Sequence, residues 1–181
     1  IPVFHDDQHG TAVVTVAATI NALKLVGKKP EDIRVVVNGA GAAGIACSRL
    51  LLSLGVRDLI ILNSKGIVYA GKEGLNSELQ RFAPLTNPRM VKGGLKEAMA
   101  GADLFLGVSA PGIVSEEMVH SMNRDPIIFA CANPDPEITY DEAKAARPDC
   151  IMGSGRSDWP NQVNNVSCFP YMFRAALDMQ A

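Results

Sequence analysis

Two neighbouring carboxylates, Asp6 and Asp7, stand just ahead of Gly10-Thr11 and a long apolar segment, and a glycine-rich stretch, Gly39-Ala40-Gly41-Ala42-Ala43-Gly44, follows further along the chain. One or two carboxylates suit a hard cation such as Mg2+ or Mn2+, which keeps waters and takes further oxygens from a substrate. The glycine stretch has the spacing of a dinucleotide loop. Its first glycine permits a tight turn, its second lets backbone come close to a pyrophosphate, and its third lets a helix pack near a strand. The helix N-terminus then offers N–H groups and the positive end of its dipole to the phosphates. An acid pair and a dinucleotide loop together point to metal-assisted redox chemistry. Acidic residues beside a helix start also have a plainer use, since they favour the dipole by about 0.3 to 1 kcal/mol. On pattern alone neither reading of Asp6 and Asp7 prevails.

The elements that must position these groups follow from periodicity and punctuation. Residues 11–26 read as a buried helix, capped by Thr11 and stopped by Gly27 with Pro30 beyond. Residues 34–38 are a β-branched run without alternation, the pattern of a strand covered on both faces. A helix over 44–54 ends at Gly55, and 58–62 is a second buried strand. The glycine loop therefore joins a strand to a helix within a βαβ unit, the context its spacing requires. Further strands are expected at 104–108, 127–130 and 150–152, helices at 95–100, 115–122 and 140–147, and a closing helix over 166–179 despite Pro170. Such alternation predicts an α/β fold, a doubly wound parallel sheet of the Rossmann type, as one domain over residues 1–181. The stretch 65–89 is the least readable, with a short helical piece near 77–82. At the end of the second strand, where an acid would bond the adenosine ribose, stands Asn63-Ser64-Lys65. Asn63 can bond a ribose hydroxyl but lacks the charge that repels a 2′-phosphate, so NADP should be at least partly tolerated.

Composition narrows the partners. With 181 residues, 48% of them apolar, and a net charge of −2, the chain fits a soluble domain with no basic stripe for nucleic acid. No uninterrupted apolar run approaches the roughly 20 residues that cross a bilayer, so no membrane association is expected. Cys47, Cys131, Cys150 and Cys168 are far apart without C-x-x-C pairing, which favours free thiols in a reducing, cytoplasmic setting over zinc or disulfides. No histidine zinc site is expected at His5 and His9. The start on Ile1-Pro2-Val3-Phe4, without an initiator Met, predicts a piece of something longer.

The stretch Ile1-Pro2-Val3-Phe4-His5-Asp6-Asp7-Gln8-His9-Gly10-Thr11-Ala12 resembles the malic enzyme family in its short bacterial form. Three further blocks carry the likeness along the chain: residues 107–112, residues 132–138, and Gly155-Arg156-Ser157-Asp158 with Asn161-Gln162-Val163-Asn164-Asn165-Val166. The resemblance implies oxidative decarboxylation of malate to pyruvate and carbon dioxide with NAD or NADP and Mg2+ or Mn2+. It assigns Asp7 as a metal ligand and Asp6 as a supporting active-site acid. It implies cofactor contacts from Thr11, Gly39, Gly41, Ala42, Ala43, Gly44, Asn63, Ser64, Ser109, Ala110 and Asn133, and substrate contacts from Asn133 and Asn165. Read locally, Asn133 before Pro134 is also a common turn and Asn164-Asn165 a helix cap. The family's catalytic Lys and Tyr, and a Glu-Asp pair of metal ligands, are expected on an N-terminal domain absent from this chain, and the full-length family usually forms homo-oligomers. Two competing expectations are a stand-alone dinucleotide module without chemistry and another dehydrogenase of the same fold, such as an amino-acid dehydrogenase.

Overall fold

In the computed structural model, which describes residues 3–180, the run Val35-Val36-Val37 forms the middle of a central strand, β1 (Arg34–Asn38). It pairs in parallel with β2 (Asp58–Asn63) on one side and β4 (Leu104–Gly107) on the other. Next to β4 lie β5 (Ile127–Ala130) and β6 (Ile151–Ser154), both parallel, while a two-residue strand, β3 (Gly66–Ile67), closes the far edge antiparallel to β2. The order is β3-β2-β1-β4-β5-β6. After building outward to β3, the chain returns to the other flank of β1, so a topological switch point lies between β1 and β4. In open α/β sheets ligands bind outside the carboxyl ends of the strands at that point.

Both faces of the sheet are covered, which explains why the strands read as unbroken apolar runs. Val35, Val37, Leu59, Ile61, Leu106 and Phe129 belong to a core shared with α1 (Asp6–Val26), α2 (Ala42–Leu54) and α3 (Ser77–Phe82). Val36, Ile60, Phe105, Ile128 and Met152 belong to a second core with α4 (Leu95–Met99), α5 (Glu116–His120) and α6 (Tyr140–Ala146). By length and composition α1 could cross a bilayer. It is instead packed on α2 through buried Ala12, Ala22 and Leu23, and its buried Thr19 donates a hydrogen bond to Thr15 O at 2.8 Å. Both Gly27 and Gly55 end their helices in the left-handed conformation, as their sequence positions foretell.

Four expectations need correction. First, α1 begins at Asp6 with His5 as N-cap, so Thr11 lies in the helix interior and caps nothing. Asp6 and Asp7 occupy the first turn, where carboxylates suit the dipole, and so extend the helix upstream. Second, the closing helix is split. A 3-10 turn (Asn165–Ser167), held by Asn164 Oδ1 accepting the Val166 N–H at 3.0 Å, precedes α7 (Tyr171–Met179), which starts only after Pro170. Proline lacks the N–H that a continuous helix needs there. Third, the sheet has an antiparallel edge, because Asn63 Oδ1 accepts the Lys65 N–H at 2.9 Å and the turn folds β3 back on β2. Fourth, β6 starts one residue later and ends two residues later than expected, running to Ser154, where a bridge to Gln162 prolongs the pairing.

Candidate dinucleotide site

At the carboxyl end of β1 the chain turns through Gly39, whose φ of 125° favours glycine. A Cβ there would lie 2.6 Å from Val108 O in the loop after β4. Gly44 is constrained too: a Cβ would overlap Gly39 O, so its absence lets α2 press onto the turn. Gly41 differs from both. It caps α2 in ordinary extended backbone without a side-chain cap, and a Cβ there would meet nothing within 4 Å. Nothing among the described residues requires a glycine at that place. The space suits a pyrophosphate, because the first N–H groups of any helix lack intrahelical partners and the Gly41–Ala42 segment is exposed. The loop therefore fits the phosphates of a dinucleotide on its own geometry.

Beside it the loops after β4 and β5 meet at the same edge. Asn38, buried at the end of β1, donates through Nδ2 to Ser109 Oγ at 2.7 Å, and its carbonyl accepts the Val108 N–H at 2.9 Å. Ser109 and Ala110 are exposed beyond β4, and Asn133 is exposed beyond β5. Beneath both loops sits Glu137, with no exposed surface. Its Oε1 accepts the Ser109 N–H and its Oε2 the Ala132 N–H, each at 3.0 Å. Burial pushes the Glu137 carboxyl above the usual range, against the opposing pull of these N–H bonds. Burial, reinforced by the nearby Glu137 charge, also pushes the Cys131 thiol strongly up.

At the end of β2, Asn63 already uses its carbonyl oxygen on the Lys65 N–H, so the group it keeps for a ribose is its amide donor. Ser64 and Lys65 are exposed beside it.

The acid pair is divided by the helix. Neighbouring residues on a helix do not face each other, and Asp7 is exposed while Asp6 turns inward. Asp6 Oδ2 accepts a hydrogen bond from Asn165 Nδ2, and Asp6 Oδ1 is buried without a partner among the described residues. Gly10 leaves the room: a Cβ would overlap the Asp6 carboxylate. Cys168 Sγ lies 3.6 Å from Gly10 O in the same cluster. Asn164 Nδ2 donates to Gly155 O at 3.3 Å, which ties this cluster to the carboxyl end of β6. Asp6 and Asn165 are thus brought together, whereas Thr11 makes no hydrogen bond through its side chain in the described structure. Among the described residues no three His, Cys, Asp or Glu side chains converge as metal ligands, so these residues do not by themselves make a cation site.

Asn38 and Glu137 escape sequence reasoning. Asn38 reads as the polar end of a strand. Glu137, in Asn133-Pro134-Asp135-Pro136-Glu137, reads as part of an exposed acidic loop, and only its contact with two other loops reveals its place. The one local hint is Gly107, an isolated glycine at the end of an apolar strand, which marks a close approach.

The sequence model of the malic enzyme NAD binding domain matches residues 8–180. The NAD-dependent malic enzyme of Geobacillus stearothermophilus is 56% identical over 182 residues, covering 100% of this chain and 37% of that protein. The NADP-dependent malic enzyme of Haemophilus influenzae is 54% identical over 183 residues, covering 100% of this chain and 24% of that protein. A crystal structure of NAD-dependent malic enzyme from Thermotoga maritima superposes with a TM-score of 0.92 at 47% identity, covering 97% of this chain and 47% of that one. The chain thus spans less than half the length of each of these relatives. The match over nearly every residue, with a loop shaped for a dinucleotide at the switch point of the sheet, makes this chain a member of the malic enzyme family, corresponding to its NAD-binding domain.

Proposed function

We propose that this chain holds the NAD or NADP of an enzyme that oxidatively decarboxylates malate to pyruvate and carbon dioxide, and that the rest of the site is supplied by polypeptide outside it. The observation that carries the reading is the open space at Gly41 in front of the uncapped start of α2. It is supported by relatives named for each cofactor, NAD in one and NADP in another.

In this reading the backbone of Gly39, Gly41, Ala42, Ala43 and Gly44 receives the pyrophosphate. Asn63 and Ser64 hold the adenosine ribose, with Lys65 near enough to attract a 2′-phosphate. Ser109, Ala110 and Asn133 would border the nicotinamide half, and a bound NAD or NADP would supply the hydride acceptor there. Asn133 and Asn165 orient malate, and Thr11 lines the same mouth from α1. Asn165 also holds Asp6, whose other oxygen is buried, so Asp6 supports the site by fixing Asn165. Asp7 would add one carboxylate to a Mg2+ or Mn2+ whose other protein ligands lie elsewhere, since this chain does not complete the set. The four free thiols suit a reducing compartment such as the cytoplasm, and assembly into a homo-oligomer belongs to the same proposal. The test is a malate oxidation assay with NAD or NADP and Mn2+. The chain by itself is expected to show no turnover, and a longer polypeptide containing it is expected to be active. Robust turnover by the 181 residues alone would refute the division of labour.

A further inference from the structure

We infer that Glu137 is a positioning residue: from beneath the carboxyl edge of the sheet, its carboxylate clamps the loop after β4 at Ser109 to the loop after β5 at Ala132, and so sets the width of the slot for the nicotinamide half of the cofactor. The inference rests on the dinucleotide reading given above, and goes beyond it in assigning a task to a residue that touches neither cofactor nor substrate.

Three observations carry it. Glu137 has no exposed surface, and among the described residues no cation pairs with it; each oxygen is instead spent on a backbone N–H, at 3.0 Å to Ser109 and 3.0 Å to Ala132. An acid buried in this way is costly unless its acceptors are satisfied, so the two N–H groups and the carboxylate fix one another. Next, the sheet makes room for it: a Cβ on Gly107, the last residue of β4, would lie 2.6 Å from Glu137 Oε2. Finally, the loops are already paired farther from the edge, by the Gly112 N–H to Pro136 O and the Val114 N–H to Glu137 O, each at 3.0 Å. The carboxylate extends that seam to Ser109 and Ala132, next to Ala110 and Asn133. Ladder bonding between β4 and β5 continues without it, as in the 2.9 Å bond from the Cys131 N–H to Gly107 O, so the clamp acts on the loops more than on the sheet.

A glutamine fits the same space yet can accept through only one of its two terminal atoms, which leaves one N–H facing a donor. For Glu137→Gln, calorimetry should show NAD binding weakened about tenfold, the order expected for one lost charge-assisted hydrogen bond. ADP-ribose, which lacks the nicotinamide and uses the Gly39–Gly44 side of the site, should bind within about twofold of the unmodified chain. Unchanged NAD affinity would overturn the inference. Equal weakening of NAD and ADP-ribose would also overturn it, because that is the mark of a merely structural role. An unmodified chain that binds neither compound would instead sink the dinucleotide reading. Should Glu137→Gln fail to fold, amide hydrogen exchange on the unmodified chain decides: protection of Ser109 and Ala132 comparable to that of Val108 and Cys131 supports the clamp, and exchange at the rate of an open loop refutes it.

Discussion

Gly41 and Gly44 stand three residues apart in one loop, and the structure separates their roles sharply enough to predict opposite behaviour on substitution by alanine. At Gly41 the backbone is extended, with φ −87° and ψ −167°, and an added Cβ meets nothing within 4 Å. Alanine should therefore fold without strain. Removing a glycine from the unfolded chain gains about 0.4 to 1 kcal/mol, and replacing glycine by alanine at a helix N-cap loses a similar amount, about 0.5 to 1 kcal/mol. Net stability should stay within about 0.5 kcal/mol of the starting chain, a shift of no more than about 2 °C in melting temperature. Cofactor affinity should fall at least tenfold, because the new methyl group takes the space proposed for the pyrophosphate. At Gly44 the Cβ would overlap Gly39 O, a backbone atom that cannot swing aside, so Gly44→Ala should cost about 1 to 3 kcal/mol through overpacking and lower the melting temperature by several degrees. Differential scanning fluorimetry reads the stabilities and titration with NAD reads the binding. A Gly41→Ala variant that keeps full NAD affinity, or one that loses as much stability as Gly44→Ala, would refute the reasoning.

Other consequences can be checked separately. Asn63→Asp places a charge where a 2′-phosphate would lie, so the ratio of NADP to NAD affinity should drop about tenfold; an unchanged ratio in parallel titrations would remove Asn63 from cofactor selection. Asp103 is buried at the opposite end of the sheet, accepting from Lys28 Nζ at 2.8 Å, Asn123 Nδ2 at 3.1 Å and the Arg34 N–H at 2.9 Å. Asp103→Ala should cost about 3 kcal/mol in denaturant unfolding and leave NAD affinity intact, since it breaks a buried network remote from the site. Burial pushes the Cys47 thiol up to about 11 from an ordinary 9.0, so the folded chain holds that proton more tightly than the unfolded one. The resulting stability is whole below pH 9 and is lost as pH rises through about 11. Melting temperatures recorded across that window should fall less steeply for Cys47→Ala than for the unmodified chain; parallel slopes would contradict the assignment.

Much of this architecture is legible from local chemistry. Val35-Val36-Val37 and Leu59-Ile60-Ile61 announce strands buried on both faces, Gly27 and Gly55 announce helix ends, and the glycine loop sits where strand gives way to helix. The errors occur where tertiary contacts outrank local signals. The cap expected at Thr11 lies five residues inside the true start of α1, because Asp6 and Asp7 form its first turn and Gly10 leaves room for the Asp6 carboxylate. A strand of two residues has no period to detect, and β3 is held by contacts such as the Asn63 side chain closing the turn and the Ile67 N–H donating to Gly93 O at 3.0 Å. Within the site, the glycines and the exposed loop residues Ser109 and Asn133 carry recognisable patterns. Glu137 does not, since an acid between Pro136 and Ile138 gives no sign that the ends of two strands will bury it. The inward turn of Asp6 toward Asn165 links residues at opposite ends of the chain, which spacing cannot foretell.

Calorimetric titration of the chain with NAD asks whether these residues form a dinucleotide site on their own. Saturable binding of one NAD per chain is expected, displaced by ADP-ribose and abolished or strongly weakened by Gly41→Ala. Absence of saturable binding by a chain shown to be folded would contradict it.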